Sequence, residues 1–437
     1  MLTTLKNAFK IKELRGKIFF TFVMLVVIRI GSQLPVPGVN GEFFRSWFEG
    51  QANGAFNFFD AITGGSFINM SILALNINPY ITSSIIMQLL TIAIPKLEEM
   101  QRDGEDGRKK ITAITRYVTI VLALIQSTAM AVAFGRQGYL LEYNALSVIS
   151  AVATLTAGSA FLMWVGERIT EKGIGNGISI VLVINIISRL PEDLKNLFEQ
   201  FVFGKAPATA VLAAAVIIAI IVGMVVLVII LNDGVRRIPV QYANKVQGLK
   251  MVGGQTSNIP LKVNTAGVIP VIFAQSLMQM PIMISSFAGY NGTGAWSEIL
   301  KYLNSATWCN PSDLKYTVGL LVYVVLIILF AYFYTSITFN PLMIADNMKK
   351  QGGFIPGIRP GKPTSDYLNG VLNYIVFIGA AGLTVVAVLP YVFNGIFKAS
   401  VSFGGTSLII IVSVVLETMK QMESQMLVRN YKGFLEK

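Results

Sequence analysis

Histidine is absent from this 437-residue chain, and cysteine occurs once, at Cys309. Those two shortages remove zinc–histidine hydrolysis, Ser-His and Cys-His dyads, His-ligated haem and internal disulfides. Charge is scarce too. Asp, Glu, Lys and Arg make up 13% of the residues and apolar types 54%, where soluble domains carry roughly 25% charged residues. Length alone suggests a water-soluble enzyme of two or three domains, and this composition does not fit one. The balance of 35 basic to 23 acidic side chains gives a net charge of +12, whose meaning depends on where the charges sit.

What the chain has in abundance is long apolar runs. About 20 apolar residues span the ~30 Å hydrocarbon core at ~1.5 Å per residue. Ten runs qualify: 18–34, 75–95, 111–134, 145–165, 175–190, 211–231, 263–287, 318–339, 370–393 and 404–419. Period-two alternation is missing, so the spans are read as helices, whose backbone polar groups pair internally. The first run follows a basic start, as a signal peptide would, but Arg29 interrupts its end and no small-x-small site follows; it reads as a retained span. Most of the 35 Lys and Arg fall in alternate connections, which puts those connections and both termini in the cytoplasm.

A polar stretch at 191–206 divides the chain into residues 1–190 and 207–437, with five runs each. An odd number per half turns the second half over in the membrane, the geometry of inverted repeats. Ten helices without symmetry fit the count equally well.

Between the first two runs lies AFNFFDAITGGSFINM (55–70), too short to span and too apolar for a comfortable loop. Asp60 sits inside it and Gly64-Gly65 breaks it. Two placements suit it: a re-entrant piece beside a water-filled funnel on the outer side, or an amphipathic surface loop. Pro79 then suits a first helical turn, with Asn78 as the N-cap.

The runs hold no mid-span Asp or Glu, which counts against a proton- or cation-coupled carrier and a fixed-charge filter. Their polar residues are neutral, among them Gln88, Gln126, Asn185, Asn264 and Gln275. Arg29 is placed near the outer end, where it snorkels. Two connections, 232–262 and 340–369, are long for helix–helix links. The first alternates at Ile238, Val240 and Tyr242, as a projecting strand does. The second, GGFIPGIRPGKPTSDYLN, is stiffened by Gly and Pro and presents Arg359 and Lys362. It is not a phosphate loop, because Pro363 stands where Ser or Thr is needed. Gly173-x-Gly175-x-Gly177 lacks dinucleotide spacing. Basic, fixed loops suit an anionic partner surface.

Taken together, RIGSQLPVPGVN (29–40), NINPYITSSIIMQLL (76–90), WVGERITEKGIGNGISI (164–180), LKVNTAGVIPVIFAQS (261–276), FNPLMIADNMKKQGGFIPGIRPGKPTSDY (339–367) and FGGTSLIII (403–411) closely resemble the bacterial SecY family. The resemblance implies an all-α integral membrane protein of the bacterial inner membrane. It has ten transmembrane helices in two inverted five-helix halves, with a re-entrant plug helix. The implied function is the central channel of the Sec translocase, passing unfolded secretory polypeptides and releasing apolar segments sideways into lipid. No catalytic residue, metal or cofactor is implied.

By position, the resemblance assigns a pore ring to Ile77, Ile81, Ile178, Leu182, Ile272 and Ile410. It assigns a plug to Asn57, Phe58, Phe59, Asp60, Ile62, Gly64, Gly65 and Ser66. Gln88 and Asn264 match polar positions of a lateral gate, where facing amides would form a modest latch. Arg236, Arg237, Lys250, Arg359 and Lys362 match loops that dock the motor ATPase SecA and the translating ribosome. Leu249-Lys250 stands where many relatives carry two arginines. The subunits SecE and SecG, and polypeptides bearing signal sequences, are the remaining implied partners. A secondary transporter or an intramembrane enzyme is the alternative; the first needs a midplane small-molecule site, the second a Ser-Lys or Asp-Asp pair.

Overall fold

The computed structural model describes residues 6, 8–41, 44–46, 60, 63–203, 207–242, 245–247, 250–252, 256–287, 294–310, 313–397 and 405–435. Helices occupy every one of the apolar runs. In chain order they are α1 (Lys12–Gly31), α2 (Asn78–Ala93), the short α3 (Pro95–Arg102), α4 (Glu105–Arg136), α5 (Ala145–Lys172), α6 (Gly177–Phe201) and α7 (Pro207–Asp233). After a small sheet come α8 (Ile269–Phe287), α9 (Ala295–Leu303), α10 (Val318–Thr338), α11 (Pro341–Lys350), α12 (Lys362–Phe397) and α13 (Gly405–Leu435). Among the described residues, five helical stretches are long and apolar enough to cross a membrane alone, six if α2 and α3 count as one bent span.

Several boundaries have local causes. Helices α2 and α3 meet at 106°; Ile94 between them is extended at φ −112°, ψ 110°, the region that the following Pro95 enforces. Helix α2 begins one residue earlier than its sequence suggests: Ile77 is the N-cap, with no side-chain cap bond, and Asn78 is already helical. The expected cap fails because Asn76, not Asn78, makes the reversal, at φ +51°. Helix α6 does carry a side-chain cap, Asn176, which accepts from the N–H groups of Ile178 and Ser179. It runs through Pro191 to Phe201, so much of the polar stretch between the halves is helix.

Three apolar clusters organise the interior. One comes wholly from the first half, with Phe44, Phe67, Phe134 and Tyr139 in edge-to-face contact. A second comes from the second half and includes Trp308, Tyr323 and Tyr391. The third joins Ile28, Leu73, Leu162 and Ile186 of the first half to Ile410 and Val414 of the last helix. It is the seam between the halves.

The two long connections form one object. Strand β1 (Val235–Tyr242) pairs antiparallel with β4 (Thr256–Lys262) on one side and with β5 (Gly353–Phe354) on the other. A separate hairpin is made by β2 (Lys245–Gln247) and β3 (Lys250–Val252). Pro239 is tolerated in β1 because β5 reaches only Gln241 and Tyr242, leaving the proline paired on one side. Ile238, Val240 and Leu261 from one loop pack with Met348, Ile355 and Leu368 from the other and with Ile375 of α12. The alternation read from sequence at 238, 240 and 242 is the face of that shared core.

Candidate functional site

The six aliphatic side chains assigned to a ring come together in the seam. Ile77, Leu182 and Ile410 are buried members of the cluster, and Ile81, Ile178 and Ile272 pack on it half-buried. Ile77 and Ile81 lie one helical turn apart at the start of α2, as do Ile178 and Leu182 at the start of α6, so each pair shares a face. Ile272 comes from the first turn of α8 and Ile410 from α13. Glycines let the elements close: a Cβ on Gly166 would meet the Ile178 side chain at 2.6 Å.

A cavity of about 520 Å³ opens above this ring on the side that carries the basic loops. Ile81, Ile178, Leu182, Ile272 and Ile410 form its apolar floor, and Gln88, Arg116, Glu167, Glu171 and Asn176 line its polar wall. Arg116 donates to Glu167 across that wall at 2.7 Å. An apolar constriction below a wettable mouth resists filling with water and ions.

On the opposite side, the funnel expected from sequence is filled. Residues 63–76 are buried almost throughout, and 64–70 and 72–76 run as turns on either side of a bridge from Ser71 to Pro35. Asp60 and Thr63 are helical, and Gly64 and Gly65, at φ +65° and +82°, end that helix in a turn. Asn57, Phe58, Phe59 and Ile62 lie outside the described residues. The turn is gripped from α6. A Cβ on Gly64 would fall 2.5 Å from the Asn185 carbonyl oxygen, so only glycine brings the backbones this close. The Gly64 carbonyl accepts from Arg29 Nη1 at 3.3 Å and from Ser188 Oγ at 3.4 Å. Arg29 therefore turns into the protein to reach this carbonyl, where snorkelling was expected.

Asp60 is completely buried. Its Oδ1 accepts from the N–H of Ile68 at 2.9 Å, and its Oδ2 lies 2.7 Å from Arg189 Nη1. Burial pushes this carboxyl up from its ordinary value, and Arg189 pulls against that shift. Below the turn, Asn185 Nδ2 donates to Asn76 Oδ1 at 3.1 Å, and Ser159 Oγ donates to the Asn76 carbonyl at 3.1 Å.

The polar gate positions are not joined. Asn264 Nδ2 donates to Asn232 Oδ1 at 2.9 Å, and Asn232 Nδ2 donates to Ser413 Oγ at 2.8 Å. Asn264 is thus satisfied by α7 and α13, while Gln88 lines the cavity with its Oε1 buried and without a hydrogen bond. The facing-amide latch expected from sequence is replaced by this chain of three. Arg236 and Arg237 project from β1 and Arg359 from the turn before α12, all exposed on one platform. Lys362, also exposed, opens α12, and Lys250 opens β3. The Arg359 carbonyl accepts from Thr364 Oγ1 at 2.8 Å, which fixes the turn. Sequence reasoning missed Arg189, Ser188 and Asn232; the one usable signal was a lone acid in an apolar stretch, which needs a base.

Helices of two halves meeting at an aliphatic seam define a class of membrane channel, and solved structures share the fold. A structure of a protein-conducting channel superposes with a TM-score of 0.61 over 94% of this chain and 92% of its own, at 19% identity. Sec61 in the canine ribosome–channel complex does so with a TM-score of 0.59, covering 94% of this chain and 92% of its own, at 18% identity. Sequence identifies the family within that class. The SecY family model matches residues 71–419. Protein translocase subunit SecY of Bacillus subtilis is 42% identical over 444 residues, and that of Mycobacterium tuberculosis 43% over 458, each covering 100% of both chains. The chain belongs to the SecY family and functions as the channel subunit of a protein translocase. It is a family of translocation channels rather than of catalysts.

Proposed function

We propose that unfolded secretory polypeptides pass through the ring of Ile77, Ile81, Ile178, Leu182, Ile272 and Ile410, and that residues around Asp60–Ser66 act as the plug below it. The observation that carries this reading is the convergence of those six side chains, drawn from both halves, in one apolar cluster, with five of them, all but Ile77, on the floor of one cavity. Aliphatic side chains make no directional bonds, so the ring closes on itself and parts for a chain of any sequence.

The molecule has ten spans in two inverted halves, 1–190 and 207–437, joined outside at 191–206. The half-specific cores, with a mixed seam between them, support this division. Both termini and the sheet platform face the cytoplasm of a bacterial cell, following the distribution of Lys and Arg. Apolar segments leave sideways into lipid between the elements carrying Gln88 and Asn264. The platform bearing Arg236, Arg237, Lys250, Arg359 and Lys362 receives SecA or the ribosome. The ribosome is supported by fold likeness to Sec61 and Ssh1 channels solved in ribosome complexes. SecE and SecG complete the complex.

The test is to widen the ring. The double variant Ile81→Gly, Ile272→Gly should raise the resting ion leak of the channel in membrane vesicles by an order of magnitude; an unchanged leak sinks the ring.

A further inference from the structure

The turn at Gly64–Ser66 is held, through Asp60, by one charged contact that an apolar seal does not need. Asp60 is 0% exposed, in a stretch that is otherwise uncharged. Its counter-charge, Arg189, stands on α6 with its side chain 14% exposed. The other polar contacts seen at the described residues are neutral or directed to backbone, among them those of the Gly64 carbonyl, the Asp60–Ile68 bond and the Thr63 hydroxyl. Burying a carboxylate is costly unless its partner is in place, so the turn sits here only while Arg189 lies against it. Replacing such a pair by apolar residues is often neutral or stabilising. A pair retained here serves to fix one position.

We propose that Arg189 is a positioning residue that locks the plug turn shut through Asp60, and that this ion pair breaks each time the pore opens. The proposal rests on the pore reading above. Its geometry makes the lock reversible. When the turn leaves, Asp60 moves from burial into water. Arg189 is not stranded, because its Nη1 already lies 3.5 Å from Glu192, one turn further along the helix. Glu192 and the buried Asp193 also repel Asp60, which trims the hold. Both charges therefore find polar surroundings in either state, and the difference between the states stays small enough for a client chain to shift it.

The experiment uses the full-length channel in membrane vesicles with two readouts. One is resting ion flux. The other is export of a precursor whose signal segment carries a charge within its apolar run. Arg189→Gln should raise resting flux several-fold and admit the defective precursor. A channel merely damaged in its fold would do the reverse, exporting less of defective and intact precursors alike. Asp60→Asn keeps the shape and should behave as Arg189→Gln does; a tight Asp60→Asn channel overturns the lock. The exchange Asp60→Arg with Arg189→Asp should bring both readouts back toward the unaltered protein, and a leak that persists in the exchange overturns it as well. The Ile81→Gly, Ile272→Gly channel is the reference. If it leaks while Arg189→Gln stays tight, the lock is wrong and the pore reading stands. If neither leaks, the pore reading falls and takes the lock with it.

Discussion

The proposed ring and the turn beneath it are held together by opposite physical means. The ring is six aliphatic side chains from four helix regions and both halves, with no hydrogen bond among them. The turn is anchored by an ion pair, two bonds to the Gly64 carbonyl and a glycine pressed onto the Asn185 backbone. Dispersion contacts are individually weak and non-directional, so a ring of them accepts many shapes and reforms around each. Charge-assisted contacts are directional and hold one geometry. A barrier that must fit every client is built the first way, and a part that must return to one place is built the second.

The contrast can be broken most directly at the charged end. Arg189→Gln leaves Asp60 buried without a counter-charge, a loss of about 3–5 kcal/mol. The seated turn should become the minor state, read as loss of protection of residues 63–70 in hydrogen exchange. Next in size is Gly64→Val, which asks a branched side chain to adopt φ +65° against the Asn185 carbonyl. At about 1–3 kcal/mol of strain, it should loosen the turn and raise the resting leak with Asp60 and Arg189 intact. If Gly64→Val seals as well as the unaltered channel, close backbone approach is not part of the anchoring. The ring should be far more forgiving: Ile272→Leu conserves volume and should cost less than about 1.5 kcal/mol, leaving ion flux and export unchanged. A leak from that swap would mean the ring depends on exact shape, and the contrast would fail. Smallest is Asn232→Ala, which frees Asn264 from its partner. A membrane-buried side-chain bond is worth about 0.6 kcal/mol, so entry of weak signal segments should rise by no more than a few-fold.

The apolar architecture was legible in the chain because it rests on local pattern. Each run of aliphatics carries a helix, Pro95 ends one, and Gly64-Gly65 marks the point where a short apolar stretch turns. The strand at Val235–Tyr242 was legible from its alternation. What was hidden depends on pairing at a distance. Gln241 pairs with Phe354, far along the second half, and nothing near either residue announces it, so two loops read as separate objects are one sheet. Asn264 was matched to the wrong amide, since an isolated asparagine does not say which neighbour satisfies it. Arg189 lies at the end of the 175–190 run and drew no reading of its own. Only the fold shows that its partner lies 129 positions earlier in the chain, in the single acid of the 55–70 stretch.

The shared sheet has a mechanical consequence. Helix α12 starts three residues after Arg359 and continues for 36 residues, about 54 Å at the standard rise. Its first turns, at Leu368 and Ile375, are embedded in the core beneath the sheet, and its far end, at Val386 and Tyr391, is embedded in the core of the second half. A load applied to either long loop therefore reaches the same stiff rod. Any partner seated on the sheet would work this lever, whichever of the two loops it touched.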